Sequence, residues 1–373
     1  MRTNSKHIGI ILLAAFALSG CQKERNTAPG GETAQLTLAE PGIVISPENG
    51  EDTKAALANY GSFYADMRGQ QPADYKMGFC IMKTGSSPLA EHAEGYRNIF
   101  ARLIKPVGQS YFIEWQIYLN DGLAAPNRRI PLYKNQGNVD FYSYHPYNPD
   151  ITDINAIPFD ITVMDGIRSA MIDYLYCAIP NINPLDANPA NLIKYPVYNH
   201  VMSLINFQMK VENNITGRLF LNKILVETAD GGSWLPIKGT FDATNGNVTP
   251  TQFTNSLEFF HHFEFYRSVD LSENGSWMNA NVLLPPIHVA STDTNRKLKF
   301  TIYLNQDEPA PLESGFFIID LAQLKNSSSG TLFGLRAGYN YQSAVYIDPS
   351  LRFINFDYPI VRPWSGEVIN IKI

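Results

Sequence analysis

The chain has 373 residues, with 29 Lys and Arg against 35 Asp and Glu and a formal net charge of −6. That balance excludes the basic footprint of a nucleic-acid-binding protein. A charged fraction of 17% beside a hydrophobic fraction of 45% leaves ample apolar material for buried cores, and 20 Tyr and 21 Phe with 24 Pro and 26 Gly favour many short strands broken by turns.

Residues 1–20 read as a signal peptide. Arg2, Lys6 and His7 form a positive start, and Ile8–Leu18 is an apolar run of secretory length, too short to span a bilayer comfortably. Leu18-Ser19-Gly20-Cys21 resembles a lipobox, in which the cysteine thiol is acylated and becomes the new N-terminus; Cys21 is therefore the expected lipidation site. Residues 21–41, with Pro29-Gly30-Gly31, are expected to be a flexible tether. Removing the signal leaves about 350 residues, which suggests two domains.

Gly42–Ser46 is a short β-branched run before Pro47, and Glu48–Lys54 is polar and reads as an exposed loop. Phe79–Met82 is a buried-strand candidate. Leu89–Ile104 has helical composition interrupted by Gly95. Phe112–Leu119 alternates, with Ile113, Trp115, Ile117 and Leu119 on one face. Gly137-Asn138 signals a turn. From there Val139, Phe141, Ser143 and His145 alternate with Asp140, Tyr142 and Tyr144, and Pro146 removes a ladder donor. Aromatic residues on both faces place this strand centrally in a sheet covered on both sides. Asp165–Ala178 reads as a helical turn leading into a strand at Leu175–Ala178. Residues 179–196, rich in Pro and Asn, read as an interdomain connection or a long crossing loop.

Strand signals sharpen beyond it. Ile205, Phe207, Met209 and Val211 alternate with polar partners, where a helix would scatter them around its circumference. Leu219–Thr228 follows as an expected hairpin partner. Further strands are expected at Leu257–Tyr266, Asn281–Leu284, Leu298–Leu304, Tyr339–Ile347, Leu351–Ile360 and Val368–Ile373. The absence of a βαβ rhythm argues against a parallel α/β sheet. The expectation is all-β: two antiparallel β-sandwich domains in tandem, at 42–195 and 196–373.

The VDFYSYHPY strand after an IPLY lead-in resembles the fimbrillin family, the two-domain β-sandwich subunits of type V pili in Bacteroidales. Other segments resemble landmarks of that family in order: Asp52-Thr53-Lys54-Ala55, Tyr198-Asn199-His200 before a strand, Leu283-Leu284-Pro285-Pro286, Ala337–Tyr341, and Ile360–Trp364. The resemblance implies transthyretin-like sandwiches and a non-enzymatic fimbrial subunit. It would be exported as a lipoprotein to the outer membrane and cell surface. It implies proteolytic maturation between Lys54 and Ala55, with lysine where the family carries arginine. It also implies assembly by strand donation, for which the C-terminus offers Val368, Ile369, Ile371 and Ile373. The implied partners are other fimbrial subunits, the same or paralogous, the outer membrane through the lipid, and ligands on host or bacterial surfaces.

Candidates for chemistry are few. His261-His262-Phe263-Glu264 is a local cluster read as an exposed polar face, since no HExxH or paired Cys-xx-Cys accompanies it. His200 is expected to be a buried hydrogen-bonding residue. Asp242–Asn247 carries calcium-like oxygens without the calcium-loop spacing and reads as a turn. Cys80 and Cys177 either pair or stay as buried thiols. No nucleophile elbow, phosphate loop or dinucleotide fingerprint is present, so no catalytic, cofactor or metal residue is assigned. Trp115, Trp234, Trp277 and Trp364 offer either core packing or a platform for sugar, which leaves a surface glycan-binding lipoprotein as the alternative function.

Overall fold

The structure is a computed structural model and describes residues 32–39, 42–43, 75–92, 96–104, 114–119, 129–165, 168–211, 219–265, 278–289, 295–306, 312–324, 334–347, 354–357 and 359–363. The described chain is all-β with three short 3-10 turns.

Its first part supplies β1 (Thr33–Leu38), β2 (Gly42–Ile43), β3 (Tyr75–Lys83), β4 (Ile99–Ile104), β5 (Glu114–Tyr118), β6 (Arg129–Tyr133), β7 (Val139–His145), β8 (Ile157–Asp160), β9 (Met164–Asp165), β10 (Arg168–Ser169), β11 (Leu175–Ile182), β12 (Ile193–Lys194) and β13 (Val197–His200). The second part supplies β14 (Ser203–Val211), β15 (Leu219–Thr228), β16 (Leu235–Phe241), β17 (Val248–Thr254), β18 (Ser256–Phe265), β19 (Met278–Leu284), β20 (Ile287–His288), β21 (Lys297–Gln306), β22 (Leu312–Asp320), β23 (Gly334–Leu335), β24 (Tyr339–Ile347), β25 (Ile354–Phe356) and β26 (Ile360–Pro363).

A seven-stranded sheet in the order β2-β13-β11-β7-β3-β4-β5 is the backbone of the first part. A three-stranded sheet, β12-β1-β6, shares a core with it. Strand β7 is central and buried at every residue. Val139 and Phe141 enter this first core, while Tyr142 and Tyr144 enter the core of the second part, so the two-faced aromatic pattern in the sequence has two cores to fill. Gly137, at φ +81°, makes the turn into it.

The second part packs a sheet ordered β19-β14-β24-β25, with β26 also on β24, against a sheet ordered β18-β15-β21-β22. Phe207 of β14 meets Phe300 of β21 and Phe317 of β22 edge-on, at 5.3 and 5.2 Å between ring centroids. Pairing is mostly antiparallel, as expected. The parallel pairs are β1 with β12, β2 with β13, and β14 with β24.

Several expectations need correction. Residues 33–38, inside the expected tether, form β1. Its first three residues are polar or small, but Leu36 and Leu38 share a face and are buried. Strand β4 and the paired β9 and β10 occupy stretches of expected helical character; in β4, Ile99, Ala101 and Leu103 are buried between β3 and β5, and that burial outweighs local propensity. β15 is not a hairpin partner of β14: β14 pairs with β19 and β24, and β15 with β18 and β21. Each lines one of two facing sheets, and alternation does not reveal which sheet a strand joins. β13 lies in the first sheet although it follows residue 195, and β8 pairs with β16 across that position.

The two described cysteines are free. Cys80 of β3 sits opposite Tyr142, and Cys177 of β11 opposite Ser143, so β7 lies between them. Adjacent β7 residues face opposite sides. Cys80 therefore enters the second core and Cys177 the first.

Candidate functional site

Strand β1 packs into the first core between two other strands. It runs antiparallel to β6, from Thr33 opposite Tyr133 to Thr37 opposite Arg129, and parallel to β12 at Thr37 and Leu38. It is thus the central strand of its sheet. Leu36 and Leu38 fill the first core together with Ile130 and Leu132 of β6.

Both ends of β1 are held. At the start, Lys134 donates its backbone N–H to the Glu32 carbonyl at 3.0 Å and its Nζ to Glu32 Oε2 at 2.9 Å. The lysine holds the Glu32 carboxyl below its ordinary range. At the finish, Ala39 N–H donates to the Lys194 carbonyl at 2.8 Å, and its carbonyl accepts from Trp115 Nε1 at 2.8 Å. The far edge of β6 is covered: Tyr133 N–H donates to His92 Nε2 at 2.9 Å and Tyr96 Oη donates to the Pro131 carbonyl at 2.6 Å. Beneath, Phe79 packs edge-on against Trp115 and Phe141 at 5.1 and 5.0 Å, and buried Ser143 Oγ and Tyr198 Oη are hydrogen-bonded at 2.7 Å. Removing β1 would leave a slot with an apolar floor and two unpaired strand edges, at β6 and β12, which is a template for another strand.

The sequence signal for β1 was only the Leu36/Leu38 alternation, at the end of a segment that begins after glycines. The residues that the sequence assigned to lipidation (Cys21), maturation (Lys54 and Ala55) and strand donation (Val368, Ile369, Ile371 and Ile373) lie outside the described residues, as do Trp277 and Trp364.

The other sequence candidates have structural places. His200 Nδ1 lies 2.9 Å from Asp173 Oδ2 with both side chains buried, tying β13 to the lead-in of β11. His261 lies in β18 and is buried, against the expected exposed face; its neighbour on the other side of the strand pattern, His262, and Glu264 fall on side chains outside the description. Asp242–Asn247 is the turn between β16 and β17. Asp242 Oδ1 accepts from Thr244 N–H and Oγ1, and its other oxygen accepts from Asn245 Nδ2. Its carboxylate is thus committed within the turn. Among the described residues no cluster of three or more His, Cys, Asp or Glu could hold a metal. Trp115 is core; Trp234 is half-buried, with the Arg296 guanidinium 4.8 Å above its ring.

No curated protein sequence matches the chain significantly. Among solved structures, a candidate cell adhesion protein of Bacteroides uniformis is 14% identical, with 89% of this chain and 98% of that one covered, at a TM-score of 0.51. One from Bacteroides ovatus is 13% identical, with 90% and 98% covered, at 0.49. A fimbrial protein of Bacteroides vulgatus is 12% identical, with 89% and 99% covered, at 0.43. The first of these likenesses concerns the fold alone. Residues 109–349 match the model of the fimbrillin-like family. That is well over half of the chain, and the chain belongs to the fimbrillin-like family.

Proposed function

We propose that the protein is a structural subunit of cell-surface fimbriae that supports adhesion and joins its neighbours by strand exchange at the β1 slot. The role is structural and not enzymatic. The observation that carries the reading is the position of β1: it is central in its sheet, it fills the first core, and it precedes Lys54 in the chain. The next described strand after Lys54, β3, begins at Tyr75. A cut between Lys54 and Ala55 would therefore sever both β1 and β2 from the body while leaving every later strand covalently joined.

The same cut couples assembly to release. A lipid on Cys21 would hold the precursor at the outer membrane. Thr33 follows Cys21 by only 12 residues. That keeps β1 within about 40 Å of the surface even if the link is fully extended. Departure of β1 after cleavage then frees the body from the anchor as it opens the slot. A single acyl chain binds a membrane marginally, whereas two or more anchor it stably.

The donor would be residues 366–373. Ile369, Ile371 and Ile373 alternate with Val368, Asn370 and Lys372, matching the period at which Leu36 and Leu38 enter the floor of the slot. Three isoleucines contribute roughly 5–9 kcal/mol on burial, and two leucines about 3–6 kcal/mol. Replacement of β1 is therefore favourable before ordering costs. Because donor and slot are different surfaces, the contact is heterologous and propagates as a filament. The partners are further fimbrial subunits, with host or bacterial surface ligands beyond them.

The test is limited proteolysis followed by a polymer assay. The precursor stays monomeric, the form beginning at Ala55 gives ladders on gels, and deletion of 366–373 abolishes them. A monomeric Ala55 form at high concentration, or polymer from the deletion variant, would refute strand exchange at this slot.

A further inference from the structure

A groove of about 710 Å³ opens where the two parts of the molecule meet, and it shares no residue with the β1 slot. The first part gives it Tyr176 of β11 and Asn199 of β13. The second part gives it the β16–β17 hairpin, with Asn247 at the turn and Phe253 farther along. The volume is that of a small-ligand site.

Polar groups converge at one end of it. Tyr176 and Asn199 are directly opposite in the β11–β13 ladder, so their side chains stand on one face about 5 Å apart. Gly246, in the hairpin turn, lies at the hydroxyl end of the same Tyr176 ring: its φ is +77°, and a Cβ there would stand 2.7 Å from Tyr176 Oη. Asn247 is the next residue. The Tyr176 hydroxyl differs from those of the core tyrosines. Tyr96, Tyr144, Tyr174, Tyr198 and Tyr341 each hydrogen-bond through Oη to a backbone carbonyl or a side chain, as a buried phenol ordinarily does. Among the described residues Tyr176 Oη has no such partner, and neither do the side-chain amides of Asn199 and Asn247.

These groups suit a ligand without charge. The lining includes no Asp or Glu, and its two arginines are engaged within the protein, Arg296 against the Trp234 ring at 4.8 Å. A side-chain amide offers donors and an acceptor, and a phenol hydroxyl is both at once. Sugar hydroxyls match that mixture, whereas a carboxylate only accepts. From Asn247 the groove follows β17 past Val248 and Pro250 to Phe253, about 15–20 Å along the strand. Phe253 is 49% exposed there and presents an apolar ring. The polar end is fixed in advance: His200, beside Asn199, is tied to Asp173 at 2.9 Å, and Gly246 seats the hairpin on Tyr176. A preformed site loses less entropy on binding.

We propose that this groove binds a neutral oligosaccharide, with the hydroxyls of one sugar held by Tyr176 Oη and the Asn199 and Asn247 amides, and a further sugar of the same chain stacked on Phe253. Aromatic faces stack on the apolar faces of sugars, and the length from Asn247 to Phe253 calls for several linked sugars. An extended peptide is disfavoured by the edge it would have to join. β17 is an edge strand, but Pro250 removes a donor from it, and its pairing with β16 shifts register twice. Main-chain addition is the source of affinity in that mode of peptide recognition.

The experiment is calorimetric titration of the purified, uncleaved chain with neutral hexasaccharides of glucose, xylose and mannose, and with hexagalacturonate as the acidic comparison. At least one neutral hexasaccharide binds, and more tightly than hexagalacturonate. The disaccharide of the same sugar binds about tenfold more weakly, being too short to reach Phe253. Tyr176→Phe, Asn247→Ala and Phe253→Ala each weaken hexasaccharide binding about tenfold. Tyr176→Phe removes only a hydroxyl that the fold does not use, so it leaves the thermal midpoint in place and its effect is on the ligand. The proposal is overturned by any of these results: no binding of a neutral hexasaccharide, tighter binding of hexagalacturonate, equal affinity for the disaccharide, affinity unchanged in both Tyr176→Phe and Asn247→Ala, or a lowered midpoint in Tyr176→Phe, which would give the hydroxyl a role in folding. Because the uncleaved chain is used, the outcome is independent of whether the β1 slot exchanges strands.

Discussion

Trp115 Nε1 donates to the carbonyl of Ala39 at 2.8 Å, across the first core. The donor stands on β5, at the edge of the seven-stranded sheet, and the acceptor is the residue after β1 in the facing sheet. One bond thus ties the final turn of β1 to the opposite layer. Trp115 is 2% exposed with β1 in place, so this carbonyl is the partner that satisfies its buried N–H. Departure of β1 forfeits that hydrogen bond.

Trp115→Phe should therefore loosen β1 selectively. It removes the donor while keeping an aromatic ring against Phe79. The expected loss is about 1–2 kcal/mol. Hydrogen exchange should locate it: amides of residues 34–39 exchange faster, while those of β21 and β24 in the second core do not change. Uniform acceleration through both cores would contradict the assignment.

The period-two strands were legible because one residue type recurs at one spacing. β14 and β21 emerge where apolar residues alternate over seven positions, and β7 where aromatic residues stand on both faces. β1 was hidden because only Leu36 and Leu38 carry the signal, and two residues do not make a period. β4 was hidden because Leu89–Ile104 has helical composition interrupted by Gly95, which left the stretch ambiguous. Partner choice was not legible at all: β14 and β15 follow each other in the chain, yet join different sheets. The Arg296–Trp234 pair and the Tyr176–Gly246 contact were invisible for the same reason, since each joins residues distant in sequence.

Acid should destabilise the first core through two histidines. Burial pulls His92 and His145 down from about 6.5 to about 4. His92 Nε2 accepts from Tyr133 N–H, and His145 Nδ1 lies 2.9 Å from the Lys76 carbonyl. A lowered folded pKa means the unfolded chain binds more protons between pH 4 and 6.5. Their contribution is thus full above pH 6.5 and is lost as the pH falls toward 4, by up to about 3 kcal/mol for each. Urea midpoints measured across that range should fall in the wild type. His92→Gln should flatten the slope. An unchanged slope would exclude His92 as a source of the loss.

The cysteines should behave as inert core residues. Burial raises the Cys80 thiol well above its ordinary range and Cys177 to about 12, so little thiolate exists at neutral pH. Ellman's reagent should leave both untouched in the native protein and modify both in denaturant. Mild oxidant should produce no intramolecular disulfide, because β7 stands between them. A faster-migrating oxidised band on a non-reducing gel, from native protein, would refute the opposed-face placement.

Gly246→Ala tests how firmly the β16–β17 hairpin is seated on β11. The φ of +77° disfavours any side chain, and the added methyl would collide with Tyr176. The expected destabilisation is about 2 kcal/mol or more. The two causes separate in a double-mutant cycle with Tyr176→Ala. If the ring contact matters, the alanine at 246 costs less in the absence of the ring. Strict additivity would leave backbone strain as the sole cause.

The last prediction separates strand departure from general instability. After cleavage at Lys54, the described contacts that hold β1 are its ladders to β6 and β12, the pairing of β2 with β13 in the same severed segment, its two end contacts, and the burial of Leu36 and Leu38. Leu36→Ala removes apolar contact at the floor of the slot, a loss of about 2–4 kcal/mol. In the uncleaved chain this lowers stability without releasing the strand, because the covalent link returns it. In the cleaved chain the same loss falls on the step in which β1 leaves. If departure limits assembly, the polymer should form at least about tenfold faster, a barrier change of about 1.4 kcal/mol. Leu221→Ala is the control. Leu221 is equally buried, but in the second core. It should lower the denaturation midpoint by a similar amount and leave the polymerisation rate of the cleaved chain within about twofold. Equal acceleration by both variants would mean that assembly follows global unfolding, and no acceleration by Leu36→Ala would mean that β1 is not the strand that is replaced.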